Sequence, residues 1–84
     1  MQYERQIRFD YSELLGRLKK YRMTQGDLAN AIGIREATLS LKLNNKAFFS
    51  QPEINKICEI LDISKEDIGL YFFVQNVQET EQND

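Results

Sequence analysis

Apolar residues recur at helical spacing along most of this chain. Two segments carry leucines one turn apart: Leu14 with Leu18, and Leu39 with Leu43. The longest stripe follows the spacing i, i+3, i+4 and i+7 and consists of Ile54, Ile57, Cys58 and Leu61. Because a helix turns by about 100° per residue, this spacing places apolar side chains on one face. The pattern therefore predicts a mainly α-helical fold whose helices share one buried core.

Capping signals divide the pattern into five helices. Three residue pairs have the spacing of a capping box: Asp10 with Glu13, Thr24 with Asp27, and Ser50 with Glu53. Gly33 stands where a left-handed residue commonly ends a helix. The predicted helices cover residues 11–21, 25–32, a stretch from 35 or 36 to 43, a stretch that begins after Ser50, and about 65–70.

Two further segments are typical of strands. Residues 2–9 alternate loosely between apolar and polar side chains, and the run from Tyr71 to Val77 is rich in aromatic and β-branched residues. The second segment can pair with residues 3–9 within one molecule and close the core under the first helix. Its free edge can instead pair with a second chain in a homodimer. Residues 78–84 are polar and acidic, and we expect them to fray.

Length and composition restrict the classes of protein that fit. The 84 residues form one domain, whose core we place in residues 10–74. No apolar run reaches the roughly 18 residues of a membrane span, and the polar N-terminus has no signal-peptide core, so we expect a cytoplasmic protein. The single Cys58 excludes an internal disulfide, and the absence of histidine argues against a zinc site or His-based catalysis. We expect a binding module without a cofactor, not an enzyme.

Charge is distributed unevenly around a formal net of −2. Residues 1–50 hold nine Lys and Arg and five acids, a net of +4, whereas residues 51–84 hold two Lys and eight acids, a net of −6. A basic half joined to an acidic half suggests one face for an anion and another for a different partner. An uneven distribution of surface charge that arose by chance would give the same counts. The excess of basic residues in the first half therefore does not by itself indicate a binding face.

Residues 24–44 have the layout of a helix-turn-helix. Two short helices flank a turn that contains Gly33, and the small Ala29 faces the crossing and lets the helices approach closely. Leu39 and Leu43 hold the second helix of the motif against the core. Its opposite face is then open to a DNA major groove, and carries Ala37, Leu41 and Asn44, flanked by Thr38 and Ser40.

The stretch from Thr24 to Lys46 resembles the signature region of the Cro/CI (XRE-type) family of phage and bacterial repressors. Thr-Gln at 24–25, Leu-Ala at 28–29, Gly-Ile at 33–34, Thr-Leu-Ser at 38–40 and Asn-x-Lys at 44–46 carry the resemblance. Residues 12–68 resemble that family's five-helix, lambda-repressor-like DNA-binding domain, most like its small phage-encoded regulators. The resemblance implies a transcriptional regulator, such as a phage or prophage repressor, that binds double-stranded DNA.

The resemblance also implies which residues contact DNA. Gln25 is expected to meet a phosphate at the start of its helix. The positions that face base edges or the adjacent backbone are Glu36, Ala37, Thr38, Ser40 and Leu41, and those expected at phosphates are Arg35, Lys42, Asn44, Asn45 and Lys46. Two of these depart from the family pattern, since Arg35 replaces a preferred Ser or Thr cap and Asn45 replaces a frequent Gly.

The reading positions hold neither Arg nor Gln, so base recognition has to rest on weaker contacts. Ala37, Thr38 and Leu41 can touch thymine methyl groups, and Glu36 can accept a hydrogen bond from a cytosine amino group or simply repel DNA. These features leave a second function open: a protein-interaction modulator, such as an antirepressor or an antitoxin-like protein, that keeps the fold and acts through a partner regulator.

Overall fold

The computed structural model describes residues 6–78 and confirms a mainly helical fold with five helices and a two-stranded sheet. The elements run in the order β1 (Gln6–Phe9), α1 (Ser12–Lys20), α2 (Gln25–Ile32), α3 (Glu36–Leu43), α4 (Gln51–Leu61), α5 (Ile68–Phe72) and β2 (Gln75–Gln78). A 3₁₀ turn, Lys65–Asp67, leads into α5. Residues 2–5 of the predicted first strand and residues 79–84 of the predicted acidic tail lie outside the described residues.

The core forms where the inner faces of the five helices meet. Its largest fully buried side chains are Leu14, Leu28, Leu39, Ile57, Leu61 and Phe72. Phe72 packs edge-on against the Phe49 ring, with 5.5 Å between the ring centroids. Burying one such side chain contributes about 1.5–3 kcal/mol, so every helix that donates a core residue is held by packing more than by its own helix propensity.

Two predicted capping boxes are present. The Asp27 amide donates to Thr24 Oγ1 at 3.0 Å, and the Thr24 amide donates to Asp27 Oδ2 at 2.9 Å. Ser50 and Glu53 make the equivalent pair of hydrogen bonds at the start of α4. Gly33 ends α2 with φ of 82°, a conformation in which glycine has no Cβ to clash. The start of α2, its end and the start of α4 therefore lie where the sequence predicts them.

The predicted cap of the first helix is wrong. The residue that precedes α1 is Tyr11, and its side chain makes no capping hydrogen bond. The Asp10 carboxylate instead accepts hydrogen bonds from the Ser12 hydroxyl and the Ser12 amide, and these hold the pKa of Asp10 below its ordinary value. The Tyr11 ring is only 6% exposed and packs against Phe49. Burial of the Tyr11 ring contributes more free energy than a side-chain capping bond would, so it determines the position of the residue before α1.

The end of the chain also differs from the prediction. The predicted strand from Tyr71 begins only at Gln75, since α5 continues through Phe72. Tyr71 and Phe72 are both buried, and the Tyr71 hydroxyl accepts hydrogen bonds from Nε and Nη2 of Arg17 on α1. A helical turn lets both rings reach the core, and this burial outweighs the strand propensity of the aromatic run.

The two strands pair within the molecule. They run antiparallel, with Phe9 opposite Gln75 and Arg8 opposite Asn76. The Asp10 amide extends the ladder by donating to the Val74 carbonyl at 2.8 Å. The intramolecular pairing, one of the two alternatives given by the sequence, is therefore present, and it brings the two ends of the described chain together beside α1.

Gly16 is a position where a substitution should stabilise the protein. It lies inside α1, and a Cβ added there meets no atom within 4 Å. Gly16→Ala is expected to raise the free energy of unfolding by about 0.5–1 kcal/mol, because alanine loses less backbone entropy than glycine when it enters a helix. Thermal unfolding followed by circular dichroism measures the change. Gly33→Ala is the control and should destabilise, since its positive φ disfavours any side chain.

Candidate nucleic-acid interface

The helix-turn-helix is formed by α2, a short turn and α3. Ala29 of α2 is 1% exposed and Leu39 of α3 is fully buried, so both side chains point inward as predicted. Leu39 is the buried residue of α3, while Leu43 and Ile34 are partly buried against the core. The motif is thus anchored on one side only, which leaves the other side of α3 free to meet a partner.

The outer face of α3 is open to solvent. Leu41 is 49% exposed, and Ala37 and Asn44 are also exposed. Thr38 and Ser40, at the margins of this face, are half-buried. These five side chains lie where the helical spacing predicts them, and their exposure is what a groove-reading helix requires.

The end of α3 is tied to the first strand through Asn45. This residue has a φ of 64°, and its side-chain amide makes two hydrogen bonds to the backbone of Phe9. Phe9 N–H donates to Asn45 Oδ1 at 2.8 Å, and Asn45 Nδ2 donates to the Phe9 carbonyl at 3.0 Å. The polar atoms that were predicted to hold a phosphate are therefore engaged inside the fold. The neighbouring Asn44 bonds back to the Ser40 carbonyl, and Lys46 is exposed.

Lys42 is likewise engaged within the molecule. Its Nζ lies 3.0 Å from Glu53 Oε1 and donates to the Phe48 carbonyl at 2.9 Å. The two charged side chains are only 11% and 18% exposed. Lys42 thus joins α3 to the start of α4. Its ammonium group already has partners within the molecule, whereas the sequence suggested that it would contact a phosphate.

The Lys42 pair should make stability depend on pH. Burial raises the pKa of Glu53, but hydrogen bonds from Ser50 and the ion pair with Lys42 outweigh burial and hold this pKa below its ordinary value of 4.5. A carboxyl whose pKa is lower in the folded state stabilises fully above the unfolded pKa, and this contribution disappears as pH falls through the folded pKa.

Glu53→Gln is therefore expected to lower the free energy of unfolding by about 1–2 kcal/mol at neutral pH and by much less near pH 3. Urea denaturation at the two pH values measures the difference. Glu59→Gln is the matched control, because Glu59 is exposed on the same helix. An equal loss for Glu53→Gln at both pH values would contradict the assignment of the pair.

The start of α2 brings together Gln25, Gly26 and Glu36. Gln25 is half-buried at the first position of α2. Glu36, the first residue of α3, lies so close that a Cβ added to Gly26 would be 3.0 Å from its Oε1. Arg35 caps α3 without a side-chain hydrogen bond and is exposed, which agrees with its departure from the usual Ser or Thr.

Sequence reasoning missed one prominent surface residue, Phe48. It is 75% exposed and lines a small apolar pocket of about 50 Å³ with Phe9, Tyr11, Phe49, Ile54, Phe72 and Phe73. The two adjacent phenylalanines at positions 48 and 49 indicate that one ring is buried and the other exposed, but the local sequence pattern does not show which one is buried. Phe49 packs between Tyr11 and Phe72, and Phe48 is left at the surface beside the end of the motif.

Two kinds of site are not found in the part of the chain that the structure describes. None of its helices is long and apolar enough to cross a membrane. Within the same residues, His, Cys, Asp and Glu side chains do not gather in a group of three or more that could hold a metal ion.

Comparison with known proteins assigns the family. A family model described as "Protein of unknown function (DUF739)" matches residues 7–75, which include the whole helix-turn-helix. The chain is a DUF739 protein. A search of curated proteins gave no match.

Among the solved structures that resemble this DUF739 protein are the following two. One is the solution structure of the modulator of repression (MOR) of the temperate bacteriophage TP901-1 from Lactococcus lactis, with 43% identity and a TM-score of 0.68, covering 77% of this chain and 88% of MOR. The other is the transcriptional regulator VanUg, crystal form II, with 24% identity and a TM-score of 0.60, covering 95% of this chain and 97% of VanUg. Both are regulatory proteins. VanUg shares the fold, and MOR is similar in sequence as well.

Proposed function

We propose that this protein is a Cro/CI-type transcriptional regulator of a phage or prophage that binds double-stranded DNA in a sequence-specific manner. The observation that carries the proposal is the exposed outer face of α3, held in place by the buried Leu39 on the opposite side. The similarity to a phage modulator of repression and to a transcriptional regulator supports a role in regulation. A major groove admits one α-helix of this kind.

The residues of the motif then divide into two groups. Ala37, Thr38, Ser40 and Leu41 face the bases, where short and apolar side chains suit thymine methyl groups. Gln25, Arg35, Asn44 and Lys46 face phosphates on either side of the groove. Lys42 and Asn45 support α3 from within the fold, since their polar atoms already have partners there.

A homodimer is part of the proposal, because one module contacts a single half-site and two-fold dimers on paired half-sites are the usual arrangement. Within the predicted dimer segment, Tyr71 and Phe72 are buried and do not contribute to a contact surface. Phe73 is 51% exposed and Val74 is 38% exposed beside β2. These two residues and the outer edge of β2 are the part of residues 71–77 that is available to a second chain.

Selection of binding sites from random DNA duplexes tests the proposed function. The wild-type protein should recover one sequence and lose affinity steeply as salt rises, because phosphate contacts release counterions. Leu41→Ala should change the recovered sequence, whereas Lys46→Ala should weaken all duplexes alike and reduce the salt slope by about 1. Failure to bind any duplex at micromolar protein would reject the DNA-binding function.

A second candidate function is a modulator that acts through a partner regulator. The exposed Phe48 and Phe73 favour it, since they lie around an apolar pocket next to the helix-turn-helix, and exposed aromatic side chains are typical of protein interfaces. Co-purification with a repressor encoded nearby, together with no shift of the protein's own upstream DNA, would favour this candidate. Phe48→Ser should then abolish the co-purification.

A further inference from the structure

The carboxylate of Glu36 lies against the first turn of α2. A Cβ added to Gly26 would be 3.0 Å from Oε1 of Glu36, 3.4 Å from Cδ and 3.7 Å from Oε2. The carboxylate therefore lies beside Gly26, where the start of α3 meets the first turn of α2. Glycine at position 26 leaves the space that this arrangement uses.

The charge of Glu36 is not balanced by the cations of the motif. Within the described residues Glu36 forms no ion pair, whereas Lys42 is paired with Glu53. The other acid of the motif, Asp27, is also exposed and keeps its negative charge, although its carboxylate accepts a hydrogen bond from the Thr24 amide in the capping box. The exposed charges of the motif are thus two carboxylates, Asp27 and Glu36, and two cations, Arg35 and Lys46. Neutralising Glu36 would therefore change a large fraction of the charge on this small surface.

This placement favours one of the two roles that the sequence left open for Glu36. A carboxylate that reads a cytosine amino group has to extend into the groove, whereas this one lies along α2, close to where Gln25 would meet a phosphate. At that position it adds a repulsive charge that every duplex meets, whatever its sequence.

We infer that Glu36 is a negative determinant of DNA affinity, whose carboxylate beside Gly26 weakens binding to all duplexes and reads no base. Its effect is on specificity: when the sequence-independent contacts are weak, only a duplex with good base contacts is bound. The inference rests on the proposed DNA-binding function for its biological meaning, but the direction of the effect can be measured by itself.

The test compares Glu36→Gln with the wild type and with Glu59→Gln, using a fluorescent duplex of random sequence at low and at physiological salt. Glu59→Gln makes the same change in net charge on α4, outside the motif. Glu36→Gln should bind about three- to tenfold more tightly than the wild type at low salt, and this gain should shrink as salt rises. Glu59→Gln should change the affinity less than about twofold.

Each outcome separates the inference from the proposed function. If the wild type binds and Glu36→Gln binds no better than Glu59→Gln, the inference is wrong and DNA binding stands. If Glu36→Gln binds more weakly and loses a preference for cytosine in the selection experiment, Glu36 is a reader and the inference is wrong. If only Glu36→Gln binds, the inference holds and the wild-type protein does not act on DNA. If neither binds, both are rejected.

Discussion

Leu39→Ala is expected to lower the free energy of unfolding by about 3–5 kcal/mol. Leu39 is fully buried, and no other residue of α3 is, so its side chain carries the packing that fixes this helix to the body. A domain of this size has roughly 5–15 kcal/mol of stability in total, and the variant should be partly unfolded at 37 °C. Urea denaturation followed by circular dichroism measures the loss, and α3 should also lose amide-exchange protection early.

Leu41→Ala is the matched control for this prediction. It removes the same atoms from the same helix, but Leu41 is 49% exposed on the outer face. Its cost should stay within about 1 kcal/mol, since little area leaves or enters water. If the two variants lost equal stability, Leu41 would have to pack inside the molecule, and the proposed reading face of α3 would not exist.

Some parts of the fold could be predicted because local chemistry and tertiary packing agree there. At the start of α2, the side chains of Thr24 and Asp27 each accept a hydrogen bond from the other residue's backbone amide. Because the two residues are only three positions apart, the sequence spacing alone identifies this capping box. The outward direction of Ala37 and Leu41 follows in the same way, because helical geometry fixes which side is outside once Leu39 is inside. These features depend on residues that are near in sequence.

Other parts could not be predicted because they depend on distant partners. Tyr71 has strand propensity, and it lies in a helix because its ring is buried and its hydroxyl accepts hydrogen bonds from Arg17, far away in the sequence. Lys42 has the appearance of a surface cation until α4 places Glu53 beside it. The sequence spacing of either pair carries no signal, since the distance between partners is set by how the helices pack.

The candidate site likewise contains some features that could be predicted from the sequence and others that could not. The exposed residues on the outer face of α3 were predicted from periodicity, whereas the hydrogen bonds of Asn45 and the position of the Glu36 side chain were not. Both depend on a turn or a crossing that brings a second segment within hydrogen-bonding or van der Waals distance. A family pattern that assigns a role by position cannot detect such a contact, because it compares one residue at a time.

Asn45→Ala is the second change with a large expected effect, a loss of about 3–4 kcal/mol in the free energy of unfolding. Two causes add to each other. Alanine is disfavoured at the positive φ of 64° by about 1–2 kcal/mol. The Phe9 N–H and carbonyl, which are part-buried against Asn45, lose their partners, and each part-buried group left without one costs roughly a further 1 kcal/mol. Thermal and urea denaturation measure the sum.

Asn45→Gly separates these causes and also decides what Asn45 does. Glycine accepts the positive φ but has no side-chain amide, so Asn45→Gly should lose about 2 kcal/mol, less than Asn45→Ala. Because the amide already serves Phe9, the affinity of folded Asn45→Gly for duplex DNA should equal that of the wild type, in contrast to the weaker binding expected of Lys46→Ala. A loss of DNA affinity as large as that of Lys46→Ala, with stability unchanged, would show that the amide contacts phosphate and that its bonds to Phe9 do not hold β1 to the end of α3.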